Sequence, residues 1–196
     1  MNLIFVSFYS KNTPYERIIK EGLIPSFKRF NLKYDIDAID NKGSWTENVQ
    51  YKPIFIYKML QKHKCPIVSL DADAIIEKNP ILFYNLQDYD YACHFYDWRL
   101  WYNKSYDKKE MLGGTQYFNY NNKVLSLIEK WKIQQKIQHT WAQKVLEKIL
   151  LQNKDIKIYE LPVEYCFIKT GKHPEIRKKA VIFHNQLSRK FRNKKW

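Results

Sequence analysis

The sequence predicts an α/β fold in which helices flank a central, mostly parallel sheet. Three short apolar runs alternate with two stretches whose apolar residues recur at helical spacing, giving the order β-α-β-α-β. The third run, Cys65–Leu70, is almost entirely apolar and is bounded by charge, which is typical of a parallel strand covered on both faces. With 196 residues, of which 45% are apolar, the chain suits a single domain, residues 1–196.

In the first half, strands are predicted at Leu3–Phe8, which is apolar and rich in β-forming residues, and at 33–39, which alternates. Helices are predicted at 15–30, despite Pro25 near the middle, and at 48–62. Connections between parallel strands are right-handed, so each helix is expected to cross over one face of the sheet.

The second half is less regular. Its predicted strands are 89–95, 115–120, 157–161 and 180–183, and its predicted helices are 123–136 and 140–151. The polar and aromatic segment 97–111 is predicted to be a long loop that the Gly113-Gly114 pair ends. Because the last eight residues contain five Lys or Arg, residues 188–196 are predicted to form an exposed basic tail.

The formal net charge of +14 attracts polyanions, so nucleic acid, an anionic membrane surface or a phosphorylated substrate are candidate partners. A chain generally rich in Lys, Asn, Ile and Tyr explains the same charge without any such partner. Three widely spaced cysteines, an odd number, indicate free thiols and a reducing compartment. The sequence also shows neither a signal peptide nor a run of about 20 apolar residues. We therefore expect a soluble, cytoplasmic protein without a transmembrane segment.

Two acidic residues follow the third predicted strand directly, at Asp71 and Asp73. The carboxyl end of a parallel strand points into the crevice where α/β folds bind ligands. Two carboxylates held there repel each other unless a cation neutralises them, and Mg²⁺ or Mn²⁺ does so with oxygen ligands while also gripping a diphosphate. The simpler alternative is a solvated turn in which one Asp caps the next helix.

With these features in order along most of its length, the chain resembles the GT-A class of nucleotide-sugar glycosyltransferases. The matching segments are Leu3–Phe8, Tyr51-Lys52-Pro53, Leu70-Asp71-Ala72-Asp73, Gly113-Gly114-Thr115-Gln116-Tyr117-Phe118-Asn119 and the late His184. The resemblance implies a GT-A fold, and transfer of a sugar from a nucleotide-diphosphate donor, by default a UDP-sugar, to a hydroxyl acceptor such as a glycan. The Asp-x-Asp and Gly-Gly segments carry most of this resemblance.

The resemblance also implies a metal site. Asp73 would bind Mn²⁺ or Mg²⁺ directly, Asp71 would contact the donor ribose or the metal, and His184 would be the third ligand. An ordinary histidine at the end of a strand is the alternative for His184, which follows Val181-Ile182-Phe183.

For the donor, the resemblance implies that Ser7, Phe8 and Tyr9 line the nucleotide base and that Lys52 lies near the phosphate or sugar. It implies that the Gly113-Gly114 turn admits the sugar and the acceptor. It further implies that the tail at Ser188-Arg189-Lys190 folds over the diphosphate, where Arg189 can pair with phosphate in a bidentate way. The alternatives are that Lys52 is an ordinary surface lysine, that Gly113-Gly114 is only a turn, and that residues 188–190 belong to a solvated basic tail.

The catalytic base is harder to place. Inverting relatives carry an acid at the start of a late helix, but the comparable stretch here, 139–143, contains none. Asp97, within the aromatic segment 95–102, is the alternative candidate, and a retaining mechanism stays open. The aromatic side chains of 95–102 either shape an acceptor pocket or pack on the core.

Two other functions compete with sugar transfer. The charge and aromatic content also suit a nucleic-acid-directed protein, either a DNA-modifying sugar transferase or a metal-dependent nuclease. A non-catalytic module with the same fold is the third hypothesis, and the intact Asp71, Asp73 and His184 argue against it. A dinucleotide-binding enzyme is disfavoured because no Gly-x-Gly-x-x-Gly follows the first strand.

Overall fold

The computed structural model describes residues 2–102, 105, 108–169 and 173–191. The strands are β1 Ile4–Ser10, β2 Tyr34–Ile39, β3 Ile67–Leu70, β4 Ala74–Ile76, β5 Tyr91–Asp97, β6 Lys109–Phe118, β7 Ile158–Glu160, β8 Phe167–Ile168 and β9 Ile182–His184. The α-helices are α1 Pro14–Ile18, α2 Ile24–Arg29, α3 Trp45–Val49, α4 Lys52–His63, α5 Trp98–Tyr102, α6 Asn122–Ile137, α7 Ala142–Gln152, α8 Pro174–Arg177 and α9 Ser188–Phe191. A π-helical segment, Ile19–Leu23, joins α1 to α2, and 3₁₀ turns lie at Ile81–Asn85 and Val163–Tyr165.

The main sheet has the strand order β2-β1-β3-β6-β5-β7 within the described residues. The pairs β1–β2, β1–β3 and β5–β7 are parallel, and only β6 runs antiparallel to its neighbours β3 and β5. All four residues of β3 are buried, because β3 lies inside the sheet with packing on both faces. The predicted α/β fold with a mostly parallel central sheet is therefore confirmed.

Helices cover both faces of this sheet. On one face α4, α6 and α7 bury a cluster that includes Phe55, Met59, Trp131 and Leu146. On the other face, the π-helical segment, α2 and the turn at Ile81–Asn85 bury a second cluster that includes Phe83. Burial of this apolar surface is the main term that stabilises the fold.

A second sheet joins distant parts of the chain next to the end of β3. Its order is β4-β9-β8, and β4 pairs antiparallel with β9 so that Ala74 lies opposite His184. Two of these strands, β4 and β8, are too short, at three and two residues, to show a clear period in the sequence. Their pairing places the C-terminal segment against the residues that follow β3.

The segment predicted as a long loop, 97–111, is more ordered than expected. β5 extends to Asp97, α5 follows it, and β6 already begins at Lys109. The Gly113-Gly114 pair therefore lies inside strand β6, and the prediction of a turn there is wrong. These glycines serve close packing, because side chains from other elements lie directly against their backbone.

Both predicted N-terminal helices form, but each is interrupted. Pro25 lies in the first turn of α2, and since proline has no N–H to donate, the regular helix pattern changes to the π-helical segment before it. The predicted helix 48–62 is divided into α3 and α4, with Pro53 in the first turn of α4. Of the predicted basic tail, residues 188–191 form α9, and residues 192–196 lie outside the described residues.

The three cysteines, Cys65, Cys93 and Cys166, are buried and free, as predicted. A search of the described residues finds no helix that is both long and apolar enough to cross a membrane.

Trp131 connects α6 to the start of α7. It is fully buried, and its indole N–H donates a 3.0 Å hydrogen bond to the carbonyl oxygen of Ala142. Trp131→Phe keeps an aromatic ring but removes this bond and part of the buried surface. We expect the free energy of unfolding to fall by about 1–3 kcal/mol. Denaturant unfolding monitored by circular dichroism measures the change, and an unaltered midpoint would show that this bond does not stabilise the α6–α7 connection.

Candidate active site

A cavity of about 260 Å³ lies at the carboxyl ends of β1 and β3. This is the edge of the sheet where open α/β folds bind ligands. Residues Phe8–Ser10 contribute from β1, and Leu70–Asp73 contribute from β3 and the turn after it. Its other lining residues are Tyr15, Trp45, Asn48, Val49, Glu110, Leu112, Gly113, Gly114, Trp141, Gln143, Cys166, Ile168, His184, Gln186 and Ser188.

Asp73 is held in place by the C-terminal segment. It is only 8% exposed, and its Oδ2 accepts a 2.8 Å hydrogen bond from the backbone N–H of Leu187. The backbone N–H and the side-chain amide of Asn185 donate to the carbonyl oxygen of Asp73, at 3.3 and 3.2 Å. The other carboxylate oxygen, Oδ1, lies 4.0 Å from Nδ1 of His184. The carboxylate of Asp73 is thus fixed against His184.

His184 is buried, at 4% exposed, between Asp73 and β6. Its Nε2 lies 2.8 Å from the hydroxyl oxygen of Thr115. Burial alone would lower the pKa of His184, but the adjacent Cys166 and Asp73 side chains outweigh it and raise that pKa. Burial likewise favours a higher pKa for Asp73, but His184 and the Leu187 N–H outweigh burial and lower it.

Asp71 points toward the open side of the cavity, with its side chain 52% exposed. Its Oδ1 accepts a 2.9 Å hydrogen bond from the ammonium group of Lys52, which is itself buried and also donates to the carbonyl oxygen of Gly113. The Asp71 N–H donates to the carbonyl oxygen of Gly114 at 2.9 Å. Lys52 lies behind the cavity wall, where it orients Asp71 and β6.

The predicted metal ligands Asp71, Asp73 and His184 therefore line one cavity. Asp73 offers an oxygen, and His184 offers a facing nitrogen once it gives up the proton that its raised pKa favours; this oxygen–nitrogen pair suits Mn²⁺. Asp71 is instead paired with Lys52. Within residues 2–102, 105, 108–169 and 173–191, no three His, Cys, Asp or Glu side chains form a group that could hold a metal ion unaided. Among the predicted ligands, Asp73 and His184 are therefore the pair whose chemistry fits a divalent cation.

Of the three residues at the end of β1 that were predicted to line the nucleotide base, two line the cavity. Phe8 and Tyr9 line the cavity, and the ring of Phe8 packs on Phe55 with a centroid separation of 4.9 Å. Ser7 does not line the cavity, because its hydroxyl is buried and donates a 2.8 Å hydrogen bond to the carbonyl oxygen of Leu70. Ser7 thus ties β1 to the end of β3.

Besides Ser7 and Lys52, two further predicted site residues, Asp97 and Arg189, are absent from the cavity lining formed by the described residues. Asp97 ends β5, and its carboxylate accepts a 2.8 Å hydrogen bond from the backbone N–H of Arg99 at the start of α5. Arg189 lies in α9, where its N–H donates to the carbonyl oxygen of Gln186, and the lining residue from this helix is Ser188.

Sequence reasoning missed a polar group on the β6 side of the cavity. Glu110 lies in β6, where its Oε1 accepts from the side-chain amide of Gln143 at 3.3 Å and its Oε2 accepts from the indole N–H of Trp98 at 3.2 Å. Gln143 in turn accepts a 3.1 Å hydrogen bond from the N–H of Gly113. Glu110 was hidden inside the segment predicted to be a loop, where no alternation pointed to a strand.

An aromatic wall was also missed. Trp45, at the start of α3, and Trp141, just before α7, meet edge to face with centroids 5.9 Å apart, and Tyr15 lies in the same lining. The capping residue Ser44 is the sequence feature that indicates a helix beginning at Trp45. Nothing in the local sequence indicates that Trp45 contacts Trp141, which lies 96 positions later. The two tryptophans come together only through the tertiary fold.

Comparison with known families identifies the family of the chain. A family model described as nucleotide-diphospho-sugar transferase matches residues 30–195. The chain belongs to this family. It is a glycosyltransferase, and the resemblance to the GT-A class is confirmed. No curated protein matches the chain in a sequence search.

Solved structures of glycosyltransferases share the fold at low sequence identity. A glycosyltransferase involved in the glycosylation of the major capsid of PBCV-1 aligns with a TM-score of 0.70 at 15% identity, covering 95% of this chain and 93% of its own. The galactosyltransferase LgtC, solved with donor and acceptor sugar analogues, aligns with a TM-score of 0.54 at 11% identity, covering 92% and 86%. Mouse xyloside xylosyltransferase 1 aligns with a TM-score of 0.56 at 11% identity, covering 95% and 98%.

Gly114 allows His184 to approach β6. A Cβ added to Gly114 would lie 2.9 Å from Cε1 of the His184 ring, closer than such atoms can pack, whereas one added to Gly22 would meet only ordinary contacts, the nearest at 3.6 Å. We expect Gly114→Ala to displace His184, to cost about 1–3 kcal/mol of stability and to abolish transferase activity. Gly22→Ala is the matched control and should leave activity unchanged. Activity and thermal unfolding measure both variants, and an active Gly114→Ala would contradict the assigned place of His184.

Proposed function

We propose that this glycosyltransferase moves a sugar from a nucleotide-diphosphate donor to a hydroxyl group of a glycan acceptor, with Mn²⁺ or Mg²⁺ as cofactor. A UDP-sugar is the first donor to test. The observation that carries the proposal is that Asp71, Asp73 and His184 converge in one cavity at the carboxyl ends of β1 and β3. The proposed catalytic unit is a single domain, residues 1–196, since the main sheet and the sheet of β4, β9 and β8 meet at this one cavity.

The metal would be held by Asp73 and His184, whose facing atoms are 4.0 Å apart. When bound, it supplies positive charge that stabilises the diphosphate as it leaves. Asp71, which Lys52 orients, lies beside this pair and faces the open cavity, where it can hydrogen-bond the donor ribose. This division of roles follows from the ion pair, which leaves Asp71 with one carboxylate oxygen outside the Lys52 contact.

The nucleotide base fits at Phe8 and Tyr9, where an aromatic ring can stack. Gln186, on the C-terminal side, has a buried Oε1 without a hydrogen-bond partner among the described residues. A buried amide oxygen of this kind is costly unless a donor reaches it. We assign it to a hydroxyl group of the bound donor. Gly113 and Gly114 line the same cavity, where the β6 backbone can approach the sugar.

The acceptor fits on the side of Trp45, Trp141 and Glu110. Aromatic faces pack on sugar rings, and carboxylates accept hydrogen bonds from sugar hydroxyls. Glu110 is the one carboxylate of the cavity lining besides Asp71 and Asp73 in the described part of the chain. It takes the place of Asp97 as the candidate base: the acceptor oxygen bonds to the anomeric carbon, the bond from that carbon to the diphosphate breaks, and the hydroxyl proton passes to Glu110.

Donor binding tests the metal-dependent site. A ligand that binds only the folded state raises apparent stability, so we expect one nucleotide sugar to raise the melting temperature of the wild type when Mn²⁺ is present and much less when it is absent. Asp73→Asn keeps the volume of the side chain but removes its charge, and it should lose this shift. A panel of nucleotide sugars, measured by thermal unfolding, provides the readout. If no donor shifts the wild type, or if Asp73→Asn shifts equally, the proposed site is wrong.

The base assignment is tested by two isosteric changes. Glu110→Gln should lower kcat about 10²–10⁴-fold while the donor-induced thermal shift persists, because the proton acceptor is lost and the donor site is kept. Asp97→Asn is the control and should retain near-wild-type kcat, since its carboxylate caps α5 instead of lining the cavity. Steady-state kinetics measure both variants. The opposite pattern, an active Glu110→Gln and an inactive Asp97→Asn, would restore Asp97 as the base.

A further inference from the structure

One face of α6 carries an unusual set of exposed side chains. Lys123, Ser126, Lys130, Ile133 and Ile137 are spaced by three or four residues and therefore lie along one side of the helix, and all five are exposed. The two isoleucines are 59% and 68% exposed and lie one helical turn apart. Lys136 flanks them and is exposed as well. We call these six residues the α6 face.

The α6 face carries a local excess of positive charge. Between residues 122 and 152, all of which the structure describes, the sequence has six lysines and two glutamates. Both glutamates are partly buried and engaged: Glu129 pairs with Lys132 at 3.0 Å, and Glu147 accepts a 3.0 Å hydrogen bond from the N–H of Met111. Lys130 and Lys136 form no ion pair with the described residues. Lys132, and more weakly Lys136, lower the pKa of Glu129, so only part of the positive charge of the α6 face is offset there.

The lysines of α4 differ from those of the α6 face. On α4, Lys58 pairs with Asp37 at 2.7 Å and Lys62 pairs with Asp35 at 2.6 Å. Those lysines are neutralised by acids of β2, although the two helices pack against each other on the same side of the main sheet. The general abundance of lysine in the chain thus does not explain the α6 face, where isoleucines accompany unpaired lysines.

In sequence, the α6 face lies only a few residues from the cavity lining. The C-terminal end of α6, at Ile137, is followed four residues later by Trp141, which lines the cavity.

We propose that the α6 face docks the enzyme on an anionic lipid surface. Exposed aliphatic side chains flanked by lysines are the composition of helices that lie in a membrane interface, where the apolar groups enter the acyl boundary and the lysines meet lipid phosphates. Nucleic acid offers phosphates but no apolar layer for two isoleucines. A protein partner is disfavoured because interface cores are depleted in lysine. The inference does not depend on the donor or on the metal.

Vesicle co-sedimentation of the full chain tests this inference. The wild type should sediment with phosphatidylcholine vesicles that contain phosphatidylglycerol and stay in solution with pure phosphatidylcholine. Ile133→Ser with Ile137→Ser should lower the partition coefficient roughly tenfold or more, because the apolar term is lost. Lys130→Gln with Lys136→Gln should lower it roughly fivefold per lysine and weaken its dependence on salt.

Matched controls come from the opposite face of the main sheet. Ile81 is an isoleucine that is 62% exposed in the turn beside Phe83, and Lys28 and Lys33 are exposed lysines in and after α2. Ile81→Ser, and Lys28→Gln with Lys33→Gln, should bind vesicles like the wild type. Circular dichroism and the donor-induced thermal shift confirm that each variant is folded, since none of these residues lines the cavity.

Three outcomes would overturn the inference. The wild type could fail to sediment with anionic vesicles, the two isoleucine substitutions could leave binding unchanged, or the control variants could lose binding equally. Binding of double-stranded DNA that competes with vesicles and persists in the isoleucine variant would assign the face to nucleic acid instead. A donor-induced thermal shift without vesicle binding would overturn lipid docking alone, and vesicle binding without any donor shift would overturn the proposed function alone.

Discussion

The antiparallel pairing of β4 with β9 is the constraint on which the site depends. It sets Ala74 opposite His184 and so joins the residues after β3 to a segment more than a hundred positions later in the chain. Around this pairing, the backbone N–H groups of Asn185 and Leu187 bind Asp73, and the imidazole of His184 faces the Asp73 carboxylate. These contacts bury an acid and a histidine together, an arrangement that stabilises the fold only while both are present.

The chemistry of the cavity follows from how its charges are divided. Asp73 is buried and is matched by His184, whereas Asp71 is half exposed and is matched by Lys52. Each carboxylate thus has its own cationic or polar partner, which relieves the repulsion between two acids two residues apart. In the proposed function, a diphosphate would bring further negative charge, which a divalent ion held by Asp73 and His184 would offset. Glu110, on the far side, accepts hydrogen bonds from two neutral donors, the side-chain amide of Gln143 and the indole N–H of Trp98.

Much of the fold could be predicted from the sequence because its strongest patterns are local. The apolar run of β3 and the helical spacing of apolar residues in α6 and α7 are each visible within a short stretch of sequence. The Asp-x-Asp that follows β3 marks the edge of the sheet. The glycines in β6 were misread as a turn because local sequence cannot show that Gln143 lies against Gly113 and His184 against Gly114. Trp45, Trp141 and Glu110 were missed for the same reason. Each lies at a helix start or within an irregular strand, and only tertiary contacts bring them to one cavity.

The central claim is most directly tested by a crystal structure of the protein with Mn²⁺ and a nucleoside diphosphate, with manganese located by its anomalous scattering. The account predicts a manganese peak in contact with both the Asp73 carboxylate and His184, next to the diphosphate. A peak that contacts neither residue, or a diphosphate bound outside this cavity, would contradict it.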